Sequence, residues 1–338
     1  MSKPLSENPQ HIERLCSALD IGPPTRVVCA VTGGYHHRMW RLESHHGTYA
    51  VKQLSVDADV SNADTIGHFN VTETIAATFA GHGVPAISAL KRDGTYLQVI
   101  DAEGYLVYPW CVGSALDIFE VSRDHALEIA CIIARMHRAN ITVQGASQQH
   151  FDVHSEDNIL QLVELSREFD REVAKVLRAE LPDVLDIVEQ QRCAIQKLEH
   201  EQVISHGDLD QKNVLWDTGG NPLLIDWESA RKLNPTYEIV LEALNWSGIG
   251  SQFDRELFWM IISSYRNAGG HIERDAVEAS FKCVLGDWVN WLMYNVGRSF
   301  DPEDPEQRTI GAQQIQLALS TLHRLGQELP RLLPGTGN

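Results

Sequence analysis

The stretch between residues 203 and 228 constrains this chain more than any other part of the sequence. It reads VISHGDLDQKNVLWDTGGNPLLIDWE, so Asp208, Asn213 and Asp226 stand among short apolar runs. A Thr-Gly-Gly-Asn turn at 218–221, flanked by apolar residues, predicts a β-hairpin. Such a hairpin would bring Asp226 close to Asn213, so that three oxygen-bearing side chains converge.

The convergence of these side chains is typical of phosphoryl transfer. Magnesium takes carboxylate and amide oxygens together with phosphate oxygens. A further carboxylate must stay free of the metal to accept the proton of the attacking hydroxyl. Asp208 suits the role of base, and Asn213 and Asp226 suit the metal. Asp and Asn are also ordinary turn residues, but the joint pattern with apolar flanks favours the functional interpretation.

Hydrophobic periodicity divides the chain into a β-rich first part, residues 1–110, and a mainly helical second part, residues 111–338. Strands are predicted at 27–31, 39–43, 48–54, 86–90, 96–100 and 105–110. Helices are predicted at 8–20, 66–82, 122–140, 236–246, 253–268, 273–297 and 307–330, with one or two more within 156–199.

Bulk composition excludes several classes of function. The 338 residues carry a formal net charge of −18, which argues against binding the phosphates of nucleic acid or anchoring through a basic patch to a membrane. No apolar run approaches the ~20 residues of a membrane span, and the first residues lack the apolar core of a signal peptide. We expect a cytoplasmic protein, monomeric or homodimeric, that binds neither nucleic acid nor a membrane.

The motif HGDLDQKNVLWD followed by LIDWESA resembles the signature of the aminoglycoside phosphotransferase and choline kinase superfamily. The resemblance is sharp over 203–230 and diffuse from about 25 to 250. It implies an α+β, protein-kinase-like fold with a β-rich N-terminal lobe and a mainly helical C-terminal lobe. It also implies that Asp208 is the catalytic base, that Asn213 and Asp226 are magnesium ligands, and that His206 helps to hold the catalytic loop.

The same resemblance predicts a nucleotide site in the N-terminal half. Ala50-Val51-Lys52 matches the third-strand pattern of this fold, so Lys52 would contact the α- and β-phosphates. Its acidic partner is expected on the following helix, where Glu73 lies. The alternative for Lys52 is a solvated lysine on a strand.

Two further segments are candidates for contacts with the nucleotide. Gly33 and Gly34 occupy a turn where a phosphate-covering loop belongs, although GxGxxG is absent and a plain hairpin turn is the alternative. Backbone groups near Pro109 and Cys111 are expected at the adenine edge, the alternative being a buried strand that leads into a helix.

Departures from the protein kinases favour a small-molecule substrate. The chain has His-Gly-Asp in place of His-Arg-Asp, Asp-Trp-Glu in place of Asp-Phe-Gly, and no Ala-Pro-Glu. We therefore predict an ATP-dependent, magnesium-dependent O-phosphotransferase, with GTP as the alternative nucleotide. A protein kinase and a nucleotide-binding pseudokinase scaffold are the rival functions.

The acceptor is the least constrained prediction. Members of the superfamily act on antibiotics, choline, homoserine and sugars. Asp210 lies two residues after the base and Glu228 lies in the second motif, and carboxylates near a reacting hydroxyl favour a cationic acceptor. An aminoglycoside-type antibiotic is thus the first choice, a nucleoside or macrolide antibiotic the next, and a metabolite the alternative. If Asp210 only caps the loop, this charge argument fails.

Overall fold

The computed structural model describes residues 8–26, 28–31, 37–117, 119–169, 171–300 and 305–336, which form two compact units. The first unit comprises the described residues of Met1–Leu116, Ile141–Ser147 and His206–Arg231, and the second those of Asp117–Asn140, Gln148–Ser205 and Lys232–Asn338. The end of the first segment lies close to the predicted boundary at 110. The predicted catalytic loop, residues 206–213, belongs to the first unit rather than to the helical half to which the sequence assigns it.

An antiparallel five-stranded sheet forms the centre of the first unit, in the order β1–β2–β3–β5–β4. Its strands are β1 (Cys29–Val31), β2 (Arg38–Ser44), β3 (Gly47–Gln53), β4 (Gln98–Ile100) and β5 (Glu103–Pro109).

Two helices of the first unit pack with residues from opposite faces of this sheet. They are α1 (Pro9–Leu19) and α2 (Ala63–Gly81). Val51 joins the apolar cluster of α1, whereas Leu106 joins the cluster that contains Phe69 of α2. Since successive strand residues alternate between faces, Lys52 belongs to the face opposite Val51. There it is paired in register with Leu106.

A smaller sheet in the same unit carries the hairpin predicted from the sequence. It contains β6 (Ser114–Ala115), β8 (Val214–Trp216) and β9 (Pro222–Leu224), in the order β6–β8–β9. The turn between β8 and β9 is held by Asp217, whose Oδ1 accepts hydrogen bonds from the backbone N–H groups of Gly219 and Asn221, each at 2.8 Å.

The strand predicted at 86–90 is wrong. Ile87 N donates to Leu224 O at 2.9 Å, but Leu90 N donates to Val107 O at 2.7 Å. The two ends of this segment therefore bond to strands of two different sheets. Only an isolated bridge between Ala86 and Leu224 forms, rather than a ladder.

The second unit is mainly helical, as predicted. Its helices are α3 (Arg123–Ala139), α4 (Glu156–Phe169), α5 (Arg171–Ala194), α6 (Pro235–Trp246), α7 (Arg255–Asn267), α8 (Arg274–Arg298) and α9 (Pro305–Thr336). Helix α8 packs against α5, α6 and α9. A short two-stranded sheet pairs β7 (Val203–Ser205) with β10 (Arg231–Leu233). Within the described part of the chain, no helix is both long enough and apolar enough to cross a bilayer.

Close packing of α9 on the end of α8 makes a testable prediction. A Cβ on Gly311 would lie 2.7 Å from Ser299 N and 3.0 Å from Asn295 O, both backbone atoms. We expect Gly311→Ala to lower the free energy of unfolding by about 1–3 kcal/mol through overpacking. Gly326→Ala is the matched control, because a Cβ there has no neighbour within 4 Å, and it should be neutral or mildly stabilising. Equal denaturation midpoints for the two variants would contradict the prediction.

Candidate active site

The catalytic loop begins directly after β7, and its glycine has a steric reason. Gly207 has φ +78°, and a Cβ there would lie 2.6 Å from Ser229 O. A larger residue at this position, such as the arginine of protein kinases, would therefore collide with the segment that follows Asp226. Buried His206 donates from Nε2 to Ile225 O at 2.9 Å, and its ring lies 4.6 Å from that of Trp227. His206 thus joins the catalytic loop to the second motif.

Asp208 and Asn213 are bonded to each other. Asn213 Nδ2 donates to Asp208 O at 2.7 Å and to Asp208 Oδ2 at 3.0 Å. The hairpin brings the second motif alongside, because Ile225 N donates to Asn213 O at 3.0 Å. Asp226 follows Ile225 directly, so the structure brings the three predicted residues together. Asn213 is only 3% exposed, whereas the Asp208 side chain is 41% exposed and can meet a substrate.

Lys52 is a buried lysine held by two carboxylates of the second motif. Its Nζ lies 2.6 Å from Asp226 Oδ1 and 3.0 Å from Glu228 Oε2. Burial alone would lower the pKa of Lys52, but the two carboxylates outweigh it and raise the pKa above its ordinary value. Lys52 is therefore a fixed positive charge. Asp226 has left-handed backbone angles, φ 62° and ψ 60°, which Asp adopts more readily than most residues.

Glu228 has a second neighbour in His37, whose Nε2 lies 3.3 Å from Glu228 Oε2. Burial would raise the pKa of Glu228, but the hydrogen bond from His37 and the charge of Lys52 outweigh it and lower the pKa to about 2. Glu228 is therefore ionised at neutral pH. Nothing in the sequence singled out His37, because its place opposite Glu228 depends on the tertiary fold.

The predicted ion pair between Lys52 and Glu73 is wrong for this structure. Glu73 is 2% exposed on α2, and its two oxygens accept from Tyr108 OH and from Ala89 N, each at 2.6 Å. Burial raises the pKa of Glu73 to about 6, although both hydrogen bonds and Lys52 act to lower it. Glu73 already has two neutral donors, whereas Lys52 bonds to the ionised pair Asp226 and Glu228.

Asp210 and Lys212 form the other charged group of the loop. Asp210 Oδ1 accepts from Lys212 N at 3.1 Å, which caps a short 3-10 helix (Gln211–Asn213). Lys212 Nζ lies 2.7 Å from Asp210 Oδ2 and 3.2 Å from Asp208 Oδ2. Burial, with the charge of Asp208, raises the pKa of Asp210. Sequence reasoning missed Lys212, although its spacing of four from Asp208 was a usable signal.

The remaining predicted nucleotide contacts are placed only in part. Gly33 and Gly34 lie outside the described residues. Pro109 ends β5, where it is paired in register with Tyr49, and Cys111 follows after one residue, with Sγ 3.6 Å from Pro109 O. Contacts of Pro109 and Cys111 with adenine stay predictions.

The residues present fit a magnesium ion that also binds phosphate. Asn213 uses its amide nitrogen for Asp208, which leaves the oxygen, the atom that a hard cation prefers. Asp226 adds a carboxylate beside it. The described residues contain no cluster of three or more His, Cys, Asp or Glu side chains that would hold a metal by themselves. A magnesium ion at this place would complete its shell with phosphate oxygens and water.

The sequence profile of the phosphotransferase enzyme family matches residues 27–271. This chain belongs to that family. The predicted superfamily and the predicted enzyme class, a phosphotransferase, are thereby confirmed. A search of curated protein sequences gives no match.

Solved structures confirm the fold of this phosphotransferase. Spectinomycin phosphotransferase, crystallised with ADP and spectinomycin, has a TM-score of 0.70 at 12% identity, covering 93% of this chain and 97% of that chain. An aminoglycoside phosphotransferase from Alicyclobacillus acidocaldarius has a TM-score of 0.62 at 15% identity, covering 98% of each chain. Plasmodium vivax ethanolamine kinase has a TM-score of 0.57 at 12% identity, covering 90% of this chain and 84% of that chain. The predicted α+β, protein-kinase-like fold is therefore confirmed.

The steric role of Gly207 predicts a specific loss of stability. Gly207→Ala and Gly220→Ala both place alanine at φ +78°, which costs about 1–2 kcal/mol on conformational grounds. Only at Gly207 does the new Cβ collide with backbone, because a Cβ on Gly220 has no neighbour within 4 Å. In urea denaturation Gly207→Ala should therefore lose clearly more free energy of unfolding than Gly220→Ala. Equal losses would remove the steric reason for His-Gly-Asp.

Buried Glu73 predicts a dependence of stability on pH. Its pKa is about 6 in the folded protein against an ordinary 4.5, so folding takes up a proton between these values. Its contribution to the free energy of unfolding should fall by about 2 kcal/mol as pH rises through this window. The measurement is the difference in unfolding free energy between the wild type and Glu73→Gln across the window. A difference that does not change with pH would show that Glu73 keeps its ordinary pKa.

Proposed function

We propose that this protein is an ATP-dependent and magnesium-dependent kinase that phosphorylates a hydroxyl group of a small molecule. The observation that carries the proposal is the Asp208 carboxylate. It is oriented by Asn213, adjoins the second acidic motif through the hairpin, and remains 41% exposed. A carboxylate so placed can accept a proton while neighbouring oxygens serve a metal.

In the proposed reaction the acceptor hydroxyl hydrogen-bonds to Asp208. A bond forms between the hydroxyl oxygen and the γ-phosphorus, and the proton passes to Asp208. The bond from the γ-phosphorus to the bridging oxygen breaks, and its electron pair stays on ADP. Lys52, as a fixed positive charge, is the chain's group for the α- and β-phosphates. Magnesium, when bound by Asn213 and Asp226, supplies further positive charge to the phosphate oxygens.

Adenine nucleotides are our proposed donors, with GTP as the alternative. Spectinomycin phosphotransferase is crystallised with ADP or AMP, and amicoumacin kinase with AMP-PNP. The backbone around Pro109 and Cys111 is the proposed contact with the adenine edge, and Gly33 and Gly34 are proposed to cover the phosphates. Glu73 accepts a hydrogen bond from Tyr108, the residue before Pro109 in β5, and so supports the proposed adenine contact. A cytoplasmic location fits the need for ATP. The predicted monomer or homodimer stays a prediction.

For the acceptor we propose an antibiotic with a free hydroxyl, on different grounds from the charge argument. Asp210 is capped and paired by Lys212, and Glu228 is paired with Lys52 and His37. Asp210 and Glu228, the two acids that suggested a cationic acceptor, are thus each already in contact with a lysine of this chain. Support comes instead from structural neighbours that phosphorylate spectinomycin, aminoglycosides or amicoumacin. Amino alcohols are the second candidate, because ethanolamine and choline kinases share the fold.

The test of this proposal is ATP turnover with a panel of acceptors. Spectinomycin, an aminoglycoside, a macrolide, ethanolamine, choline and homoserine would each be assayed with magnesium and ATP. With an accepted substrate, Asp208→Asn should lower turnover by roughly 100-fold to 10,000-fold, because an amide cannot take the hydroxyl proton. Magnesium-ATP binding and the denaturation midpoint should be unchanged. Asp183→Asn, at an exposed position of α5, is the control for charge.

Two outcomes would contradict the proposal. Near-wild-type turnover in Asp208→Asn would remove Asp208 from the role of base. Tight binding of magnesium-ATP without turnover on any acceptor of the panel would instead favour a nucleotide-binding scaffold.

A further inference from the structure

Lys212 bridges the base and its neighbouring acid. Its Nζ lies 2.7 Å from Asp210 Oδ2, and from the two oxygens of Asp208 it lies 3.2 Å and 3.4 Å. Neither the family resemblance nor the proposed mechanism gives Lys212 a role. Yet its charged group directly contacts the carboxylate of the proposed base.

These contacts must change when an acceptor binds. Asp208 Oδ2 accepts from Asn213 at 3.0 Å and forms an ion-pair contact with Lys212 Nζ at 3.2 Å, and Oδ1 accepts from Lys212 at 3.4 Å. A hydroxyl that gives its proton to Asp208 needs one of these oxygens at about 2.6–3.2 Å. The longest bond, from Lys212 to Oδ1, is the weakest and yields first. An ammonium group has three donors, so Lys212 can keep Asp210 and release Asp208.

The position of the transferred group follows from that hydroxyl. In a reactive arrangement the phosphorus lies about 3–3.5 Å from the attacking oxygen, which itself hydrogen-bonds to Asp208. The phosphoryl oxygens then lie within the reach of a lysine head that starts 3.2 Å from the same carboxylate. The Lys212 side chain is 52% exposed and can turn, whereas the Lys52 side chain is 9% exposed and is held between two carboxylates.

Charge gives the reason for such a contact. An approaching γ-phosphoryl group brings negative charge toward Asp208 and Asp210, which are themselves negative. Without a cation between them, like charges would oppose the approach. Lys212 supplies that cation, because its Nζ already lies 2.7 Å from Asp210 Oδ2 and 3.2 Å from Asp208 Oδ2.

We propose that Lys212 is a catalytic residue that contacts the γ-phosphoryl group of bound ATP, an inference that rests on the proposed kinase function. Lys212 donates hydrogen bonds from Nζ to phosphoryl oxygens and keeps all its protons. The oxygen–phosphorus bond still forms at the acceptor, the bridging bond still breaks toward ADP, and the acceptor's proton still goes to Asp208.

The test compares two nucleotides that differ in the γ-phosphoryl group. Calorimetric titration would give the affinities of magnesium-ADP and magnesium-AMP-PNP for the wild type, Lys212→Met and Lys212→Arg. We expect Lys212→Met to weaken the binding of magnesium-AMP-PNP by roughly 10-fold or more, as for loss of a charge-assisted hydrogen bond. The binding of magnesium-ADP should weaken by less than about twofold, because ADP lacks the contacted group. Lys212→Arg should restore most of the loss. Lys175→Met, at an exposed position of α5, removes the same charge elsewhere and should change neither affinity.

A second readout is slow hydrolysis of magnesium-ATP with water as the acceptor. Lys212→Met should lower its rate by on the order of 100-fold, as for removal of one donor to a developing charge, and Lys212→Arg should recover part of it. If Lys212→Met does not fold, Lys212→Gln takes its place and must likewise lose more affinity for AMP-PNP than for ADP.

Three results would separate the possible failures. If Lys212→Met weakens the binding of ADP and of AMP-PNP equally, Lys212 only stabilises the loop and the inference is overturned. Unchanged nucleotide affinities and an unchanged hydrolysis rate in Lys212→Met would also overturn it. The kinase assignment would still stand if Asp208→Asn lowers turnover. If the wild type binds neither nucleotide, the proposed function fails first and the role of Lys212 fails with it.

Discussion

A buried lysine must be paired, and this requirement organises the site. Lys52 is 7% exposed, and its partners Asp226 and Glu228 lie 174 and 176 residues further along the chain. Removing one partner from such a pair leaves an uncompensated charge that is costly to bury. The interaction therefore ties β3 to the segment that follows β9. The charges proposed for nucleotide binding thus also stabilise the fold of the first unit.

This double use explains the residue choices around Asp226. Its backbone is left-handed, a conformation that Asp adopts at lower cost than most residues. One carboxylate oxygen bonds to Lys52, so an ion bound by Asp226 would share that carboxylate with the lysine or replace it. Glu228 would then keep Lys52 paired if Asp226 bound a metal, because its Oε2 lies 3.0 Å from Lys52 Nζ. In the proposed site, this second carboxylate would therefore serve as an alternative partner for Lys52.

Local motifs and periodicity predicted much of the molecule, whereas interactions between residues far apart in the sequence were not predicted. Asp208, Asn213 and Asp226 converge because a short hairpin, readable from Thr-Gly-Gly-Asn, places them side by side. Glu73 failed as the partner of Lys52 because Tyr108 and Ala89 occupy both of its oxygens, and those contacts need the tertiary fold. The prediction of a strand at 86–90 is wrong for a similar reason, since the two ends of this segment form backbone hydrogen bonds with strands of two different sheets.

Electrostatics shows the same limit most clearly. A formal net charge of −18 suggests that the site should attract cations. At close range, however, Asp208 and Asp210 contact Lys212, while Asp226 and Glu228 contact Lys52. His37 also contacts Glu228. Charges separated by more than a Debye length of ~8 Å are largely screened, so these local partners outweigh the distant surface. In our proposal the choice of acceptor therefore rests on shape and on hydrogen bonds to its hydroxyl groups as well as on charge, because Lys212 offsets only part of the negative charge of Asp208 and Asp210.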